Sequence, residues 1–168
     1  MFATELARGL ATTFRELFSK PVTIQYPEEK RPVRTRFKGR HVLKRYDNGL
    51  EKCIGCSLCS AACPADAIFV ESAENSDDER YSPGERYARV YQINMLRCIY
   101  CGYCEDACPT EAIVLGDIYE LSFTSRRSAI YTKEMLLEPV SEGAKTTPQK
   151  VEPGVYTRSV PEMKNPTD

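Results

Sequence analysis

The chain has 168 residues and a formal net charge of −1 at pH 7, with 8 cysteines and a single histidine. This length allows one domain. The near-neutral charge argues against a generally basic nucleic-acid-binding protein.

The first predicted element is an amphipathic helix over residues 1–19. Its apolar residues recur at three- and four-residue steps: Phe2, Leu6, Leu10, Phe14, Leu17 and Phe18. The longest uncharged run, residues 9–14, is far too short to span a bilayer. We expect the helix to lie on a membrane surface or a hydrophobic partner protein. The alternative is that it packs on its own chain.

An extended basic arm is predicted over residues 20–49, where three prolines discourage helix. Residues 20–52 carry ten lysines and arginines against four acidic residues. Because few aromatic residues are interleaved, this pattern favours acidic protein surfaces or anionic lipid over nucleic acid. We expect the only histidine, His41, to be a hydrogen-bonded structural residue rather than a ligand or proton carrier.

All eight cysteines follow, in two copies of the spacing C-x₂-C-x₂-C-x₃-C-P. This is the ligand run of proteins that hold two [4Fe–4S] clusters, in which the fourth cysteine of each run ligates the other cluster. The sequence therefore predicts two clusters with crossed ligands. The first would be held by Cys53, Cys56, Cys59 and Cys108, and the second by Cys63, Cys98, Cys101 and Cys104.

The repeat extends beyond the cysteines. Residues 53–70 and 98–115, offset by 45, are identical at nine of eighteen positions, which indicates an internal pseudo-two-fold. The isoleucines that this repeat contains are expected to shield the clusters from water: Ile54, Ile68, Ile99 and Ile113. The backbone N–H groups of Gly55 and Gly102 are expected to approach the sulfur atoms closely.

Two other uses of the cysteines are less consistent with the spacing. Cysteines two residues apart in one loop pair poorly as disulfides, and we expect no signal peptide. Structural zinc sites usually place two C-x₂-C pairs a dozen or more residues apart. Because clusters need reducing conditions, we expect a cytosolic or equivalent compartment.

The predicted fold is therefore α+β, a small two-[4Fe–4S] bacterial-ferredoxin domain over residues 50–116. Its two halves would be joined by a solvated acidic loop, residues 71–86, between strands 67–70 and 87–93. Residues 117–138 form a partner-contacting extension with a short helix near 133–137. The tail, 139–168, is expected to be disordered alone, or extended on another subunit if ordered.

Several segments resemble subunit I of the respiratory NADH:quinone oxidoreductase, complex I. These are the basic stretch 37–46, Asn48-Gly49, the second cysteine run through Ile113, and residues 131–137. The resemblance covers about residues 20–138. It does not extend to the acidic loop or the tail.

The resemblance implies an electron-transfer subunit at the cytoplasmic face of the cell membrane, peripheral to the bilayer. Its two clusters would pass electrons from upstream clusters in other peripheral-arm subunits toward the terminal cluster and the quinone. Its N-terminal helix would lie at the junction with the membrane arm, and no residue would do acid–base catalysis. Two other functions remain open: a wiring subunit of a membrane-bound hydrogenase-like complex and a free two-cluster ferredoxin.

Overall fold

The computed structural model describes residues 2–144 and 146–149, and the chain divides into two units after Arg34. The first unit begins with helix α1, Phe2–Leu17. Five large apolar side chains of this helix and the residue after it are each more than half exposed: Leu6, Leu10, Phe14, Leu17 and Phe18. Among the described residues, none of the helices has the length and apolar character needed to cross a membrane.

The second unit contains two structurally equivalent halves. The first half is β1 (His41–Leu43), α2 (Leu58–Ala61) and β2 (Ile68–Glu74). The second is β3 (Arg86–Asn94), α3 (Tyr103–Asp106) and β4 (Ile113–Leu115). With the sequence offset of 45, the first residues of β1 and β3 coincide. The structure thus repeats a strand–helix–strand order, and the repeated part extends before the cysteine runs.

The halves interlock through their strands. β1 pairs antiparallel with β4, placing His41 opposite Leu115, and β2 pairs antiparallel with β3, placing Ile68 opposite Ile93. The first strand of each half therefore pairs with the last strand of the other. Neither half can complete its sheet alone.

Residues after the second half add a third strand and a short helix to this unit. β5 (Ile130–Thr132) pairs with β3, and α4 (Lys133–Leu136) follows directly. Leu136 is fully buried, and Leu43 makes a parallel bridge to Leu137. The short helix predicted near 133–137 is present, and it packs on the chain's own β1.

A buried ion pair fixes this addition to the start of the first cysteine loop. Lys133 Nζ lies 2.8 Å from Glu51 Oε2 and also donates to the carbonyl of Ala88 at 2.8 Å. The ammonium lies over the rings of Tyr81 and Tyr87, which stack on each other. Burial raises the pKa of Glu51, while its hydrogen bond to Lys133 opposes that shift.

The acidic loop is an ordered hairpin rather than only a solvated linker. β2 and β3 extend into it from both sides. At its turn, Asn75 Nδ2 donates to Ser82 Oγ and to the carbonyl of Gly84, and Asn75 Oδ1 accepts from the N–H of Tyr81. One asparagine side chain therefore supplies the hydrogen bonds that hold the turn together.

The described part of the tail differs from expectation as well. We expected an ordered tail to lie on another subunit, but it lies on loops of this chain. Gln149 exchanges two backbone hydrogen bonds of 2.9 Å with Arg80, and its side chain donates to the carbonyl of Asn48. Arg45 donates to Thr147 Oγ1 at 3.2 Å. Residues 145 and 150–168 of the predicted tail lie outside the described residues.

The core of the second unit is built around the cysteines. Its largest fully buried apolar side chains are Leu43, Leu50, Tyr91, Ile93, Ile113 and Leu136. Cys59 and Cys104 belong to a cluster of buried residues in this core, and four more cysteines pack against it: Cys53, Cys63, Cys98 and Cys108. Most of the cysteines of the site are therefore also part of the core or packed against it.

Candidate metal centre

The two cysteine loops share an unusual backbone. Three positions in each loop adopt a positive φ, and they coincide under the 45-residue offset: Gly55 with Tyr100, Ser57 with Gly102, and Asp66 with Glu111. Successive peptides in such conformations turn their N–H groups toward one concave side, where they can approach anions. Four of these residues are not glycine, so the loops hold a conformation that L-residues adopt at a cost.

The residues of the first predicted ligand set line one cavity. The cavity brings together Cys53, Cys56 and Cys59 from the first run with Cys108 from the second. Its remaining wall includes Val70 and other apolar residues of the core. Four sulfur atoms around a cavity of this kind are the donor set that a [4Fe–4S] cluster requires.

The second predicted set shows the same crossing in its electrostatic neighbours. The Cys98 thiol interacts with those of Cys63 and Cys101. Cys104 interacts with Cys98 and Cys101, and also with Cys59 of the first set. Helices α2 and α3, which carry Cys59 and Cys104, contact each other. The two sets therefore adjoin through these helices.

Backbone donors to sulfur repeat in both halves. The N–H groups of Ala67 and Ala112 lie 3.4 and 3.2 Å from Cys63 Sγ and Cys108 Sγ. At the other end of each loop, Gly55 donates to Cys53 and Tyr100 donates to Cys98. Ala67 and Ala112 are equivalent under the 45-residue offset, and so are Gly55 and Tyr100. N–H groups directed at a thiolate stabilise its charge.

Burial dominates the acidity of most of these thiols. It raises the pKa of Cys53 and of Cys104 to about 12, and it raises that of Cys59 and Cys98. Cys108 differs. Burial acts in the same direction there, but backbone donors from residues 110–113 outweigh it and lower the pKa. Binding of iron by these thiols must release protons, because the thiolate is the ligand.

Side-chain donors to sulfur differ between the two sets. In the first set, Tyr91 Oη lies 3.3 Å from Cys59 Sγ, and Thr110 Oγ1 lies 3.6 Å from Cys108 Sγ. In the second set, His41 Nε2 lies 3.7 Å from Cys98 Sγ. Tyr91 and Thr110 escaped the sequence analysis, since nothing in their local pattern distinguishes them from ordinary strand and loop residues.

The histidine lies deeper in the site than its sequence suggested. His41 is only 1% exposed, and its ring lies against Tyr100, with centroids 5.7 Å apart. Burial lowers the pKa of His41 to about 4, so the ring is neutral near pH 7. Its structural role stays a prediction, and its Nε2 contacts a cysteine sulfur.

Gly102 serves a purpose that we had not expected. A Cβ placed there would collide with the side chain of Lys38, 2.6 Å from its Cε. Lys38 Nζ pairs with Glu105 Oε2 at 3.0 Å, and this hydrogen bond raises the pKa of Lys38. At Gly102 the close approach is therefore made by a lysine of the basic arm, whereas at Gly55 the sulfur contact occurs as predicted.

The four isoleucines are not equivalent. Ile68 and Ile113 are buried, and Ile54 lines the cavity of the first set. Ile99 is 64% exposed, so it does not shield the second set within this chain. Within residues 2–144 and 146–149, no three His, Cys, Asp or Glu side chains surround a single point as one metal ion would require. A four-iron cluster instead takes one thiolate at each iron.

Comparison with known proteins supports this reading of the cysteines. A profile of the 4Fe-4S dicluster domain matches residues 52–112, which contain all eight cysteines. The second unit accordingly carries the two-cluster ferredoxin fold and holds two [4Fe–4S] clusters, as the cysteine spacing predicted.

One solved structure similar to this chain is a membrane-bound sulfane sulfur reductase (MBS), an archaeal respiratory membrane complex. The identity is 32% over 69% of this chain, with a TM-score of 0.46. The match spans 55% of the length of that chain.

Proposed function

We propose that this chain conducts electrons through two [4Fe–4S] clusters with crossed ligands, as a subunit of a membrane-bound respiratory oxidoreductase. The observation that carries the proposal is the single cavity lined by Cys53, Cys56, Cys59 and Cys108. The last cysteine of the second run lines this cavity together with the first three of the other run, which supports the crossed assignment. Each cluster, when bound, takes up and releases one electron at a time.

The residues of this chain have three tasks in that function. Eight thiolates hold the iron, namely Cys53, Cys56, Cys59 and Cys108 in one set and Cys63, Cys98, Cys101 and Cys104 in the other. Backbone N–H groups of the two loops, those of Gly55, Ala67, Tyr100 and Ala112, stabilise the sulfur charge. Buried side chains such as Ile68 and Ile113 exclude water, which influences the reduction potential.

Attachment to a membrane complex is supported by the first unit. Helix α1 presents one apolar face whose side chains are mostly exposed, and residues 20–34 continue it with basic charge. An exposed apolar face next to basic residues suits a membrane surface or an apolar partner. A freely diffusing carrier would gain nothing from such a segment.

We further propose that the complex is NADH:quinone oxidoreductase, with this chain passing electrons toward its terminal cluster and quinone. This finer assignment depends on the sequence resemblance over residues 20–138. Its partners would be the other cluster-bearing subunits of the peripheral arm and the membrane-arm subunits near the quinone. The chain would lie peripherally at the cytoplasmic face of the membrane.

Isolation of the native assembly through a tag on this chain tests the proposal. We expect co-purification with a large membrane complex that oxidises NADH with a quinone analogue. A complex that reduces sulfur compounds or evolves hydrogen instead would overturn the complex I assignment while keeping the electron-transfer role. A soluble monomer without partners would overturn the membrane assignment altogether.

A further inference from the structure

Tyr91 is unusual among the aromatic residues of this chain because its hydroxyl contacts a predicted cluster ligand inside the core. Its side chain is 1% exposed, and Tyr91 Oη lies 3.3 Å from Cys59 Sγ. The residue belongs to β3, and it also lines the cavity of the first ligand set. A ligating thiolate carries no proton, so the phenol must be the donor in this hydrogen bond.

Some backbone hydrogen bonds to sulfur are duplicated by the repeat. Ala67 and Ala112 donate at equivalent positions, as do Gly55 and Tyr100. A contribution that is present in both halves shifts the reduction potentials of both clusters together. A difference between the two potentials comes from donors that the repeat does not duplicate, and the hydroxyl of Tyr91 is one of them.

The repeat supplies no equivalent of this contact for the second ligand set. Position 46, which is 45 residues before Tyr91, is also a tyrosine, but its ring lies beneath the ammonium of Lys52. The second set receives its side-chain contact from His41, at the longer distance of 3.7 Å. The hydroxyl of Tyr91 therefore contacts a cysteine of the first ligand set, and its equivalent in the repeat makes no such contact within the described residues.

We propose that Tyr91 is a positioning residue that selectively raises the reduction potential of the cluster held by Cys59. The cluster gains negative charge when it is reduced, and part of that charge lies on the cysteine sulfurs. A hydrogen bond to sulfur becomes stronger as that charge grows, so it favours the reduced state. Burial strengthens the effect because water cannot replace the lost donor. The inference rests on the proposed two-cluster electron-transfer function.

The test compares Tyr91→Phe with Tyr131→Phe in the full-length chain carrying its clusters. Both substitutions remove one hydroxyl from a buried tyrosine of the same sheet, but only Tyr91 contacts a cysteine sulfur in the described residues. EPR-monitored redox titration should show one cluster signal shifted to a more negative midpoint in Tyr91→Phe. The other signal, and both signals of Tyr131→Phe, should keep their wild-type midpoints.

The shifted signal should also be the one whose line shape changes in a Cys56→Ser variant, since Cys56 and Cys59 share a cysteine run. Unchanged midpoints in Tyr91→Phe, or equal shifts of both signals, would overturn the inference. Iron and sulfide analysis separates this failure from that of the proposed function. If Tyr91→Phe holds two intact clusters and its midpoints are unchanged, only the role of Tyr91 is refuted. If the wild-type chain holds fewer than two clusters, the proposed function itself is refuted.

Discussion

The two halves of the second unit have the same order of elements, but the starts of their cysteine loops differ in burial. Each has a cysteine loop with three left-handed residues at equivalent positions, a one-turn helix, and a strand that pairs with the other half. The start of the first loop is deeply buried at Leu50 and Glu51. At the equivalent positions of the second loop, Met95 is buried but Leu96 is 58% exposed.

The difference indicates that the halves have separate surroundings in addition to their common task. The first loop is closed by the chain itself, through the ion pair of Glu51 with Lys133. The second loop leaves Leu96, Ile99 and Tyr103 largely uncovered. The features that the two halves share surround the cysteines, whereas the features that differ give the two loops different surroundings.

Removal of iron should have the largest effect, and it should affect both halves together. Six of the eight cysteines belong to the core or pack against it, and the strand pairing links each half to the other. Without iron, buried polar thiols and an open cavity would replace the cluster bonds. Chelation under anaerobic conditions should abolish the strand signal in circular dichroism in one transition. Loss of the circular-dichroism signal in two successive transitions would show that the halves unfold independently.

Replacement of Lys133 by Met should disturb the first half more than the second. It leaves the Glu51 carboxylate buried without its partner, and breaking a buried pair costs about 3–5 kcal/mol. We expect a clear fall in the midpoint of anaerobic thermal denaturation. The EPR signal of the cluster predicted to be held by Cys53 should be lost at a lower temperature than that of the other cluster.

Lys44→Met is the matched control. Lys44 Nζ lies 2.8 Å from Glu138 Oε1, the same separation as in the buried pair, but both side chains are more than one-third exposed. Removing such a pair costs at most about 1 kcal/mol. Equal destabilisation by both variants would contradict the importance that we assign to burial at the first loop.

Alanine at the two loop glycines should have unequal effects. A Cβ at Gly55 would lie 2.8 Å from the carbonyl oxygen of Tyr87 and 2.9 Å from Ser72 Cβ, both fixed in the paired strands. A Cβ at Gly102 would meet only the flexible side chain of Lys38. Both substitutions also incur a left-handed backbone cost of about 1–2 kcal/mol. We therefore expect Gly55→Ala to lower the thermal midpoint more than Gly102→Ala.

The Lys38→Ala change provides the check on the second glycine. Combined with Gly102→Ala, it removes the collision and should restore part of the lost stability. The backbone cost and the loss of the partly exposed Lys38–Glu105 pair remain. Lack of any recovery in the double variant would mean that Lys38 is not what occupies the space at Gly102.

The cysteine spacing carried most of what the sequence could predict. It gave the two clusters and the ferredoxin fold, because iron coordination restricts the ligand spacing far more strictly than packing restricts apolar residues. The crossing of Cys63 and Cys108, the complex I assignment and the domain boundaries stay predictions. The short helix near 133–137 was found because its apolar pattern is local.

Long-range contacts were beyond the sequence analysis. Tyr91 and Cys59 are 32 residues apart, and Lys38 and Glu105 are 67 apart, so no local pattern joins them. The contact of Gln149 with Arg80 was missed for the same reason, since a polar, proline-containing tail gives no sign that it packs on its own chain. Ile99 was wrongly expected to shield a cluster, because sequence identity within the repeat does not ensure equal burial.

Crossed ligation is the central claim, and the hydroxyl of Thr110 offers the most direct test. Thr110 Oγ1 lies 3.6 Å from Cys108 Sγ, and Cys108 is the ligand that the second run is predicted to give to the first cluster. Redox titration of Thr110→Val should therefore shift to more negative potential the EPR signal whose line shape changes in Cys56→Ser. A shift confined to the other signal would place Cys108 in the second cluster and contradict the crossing.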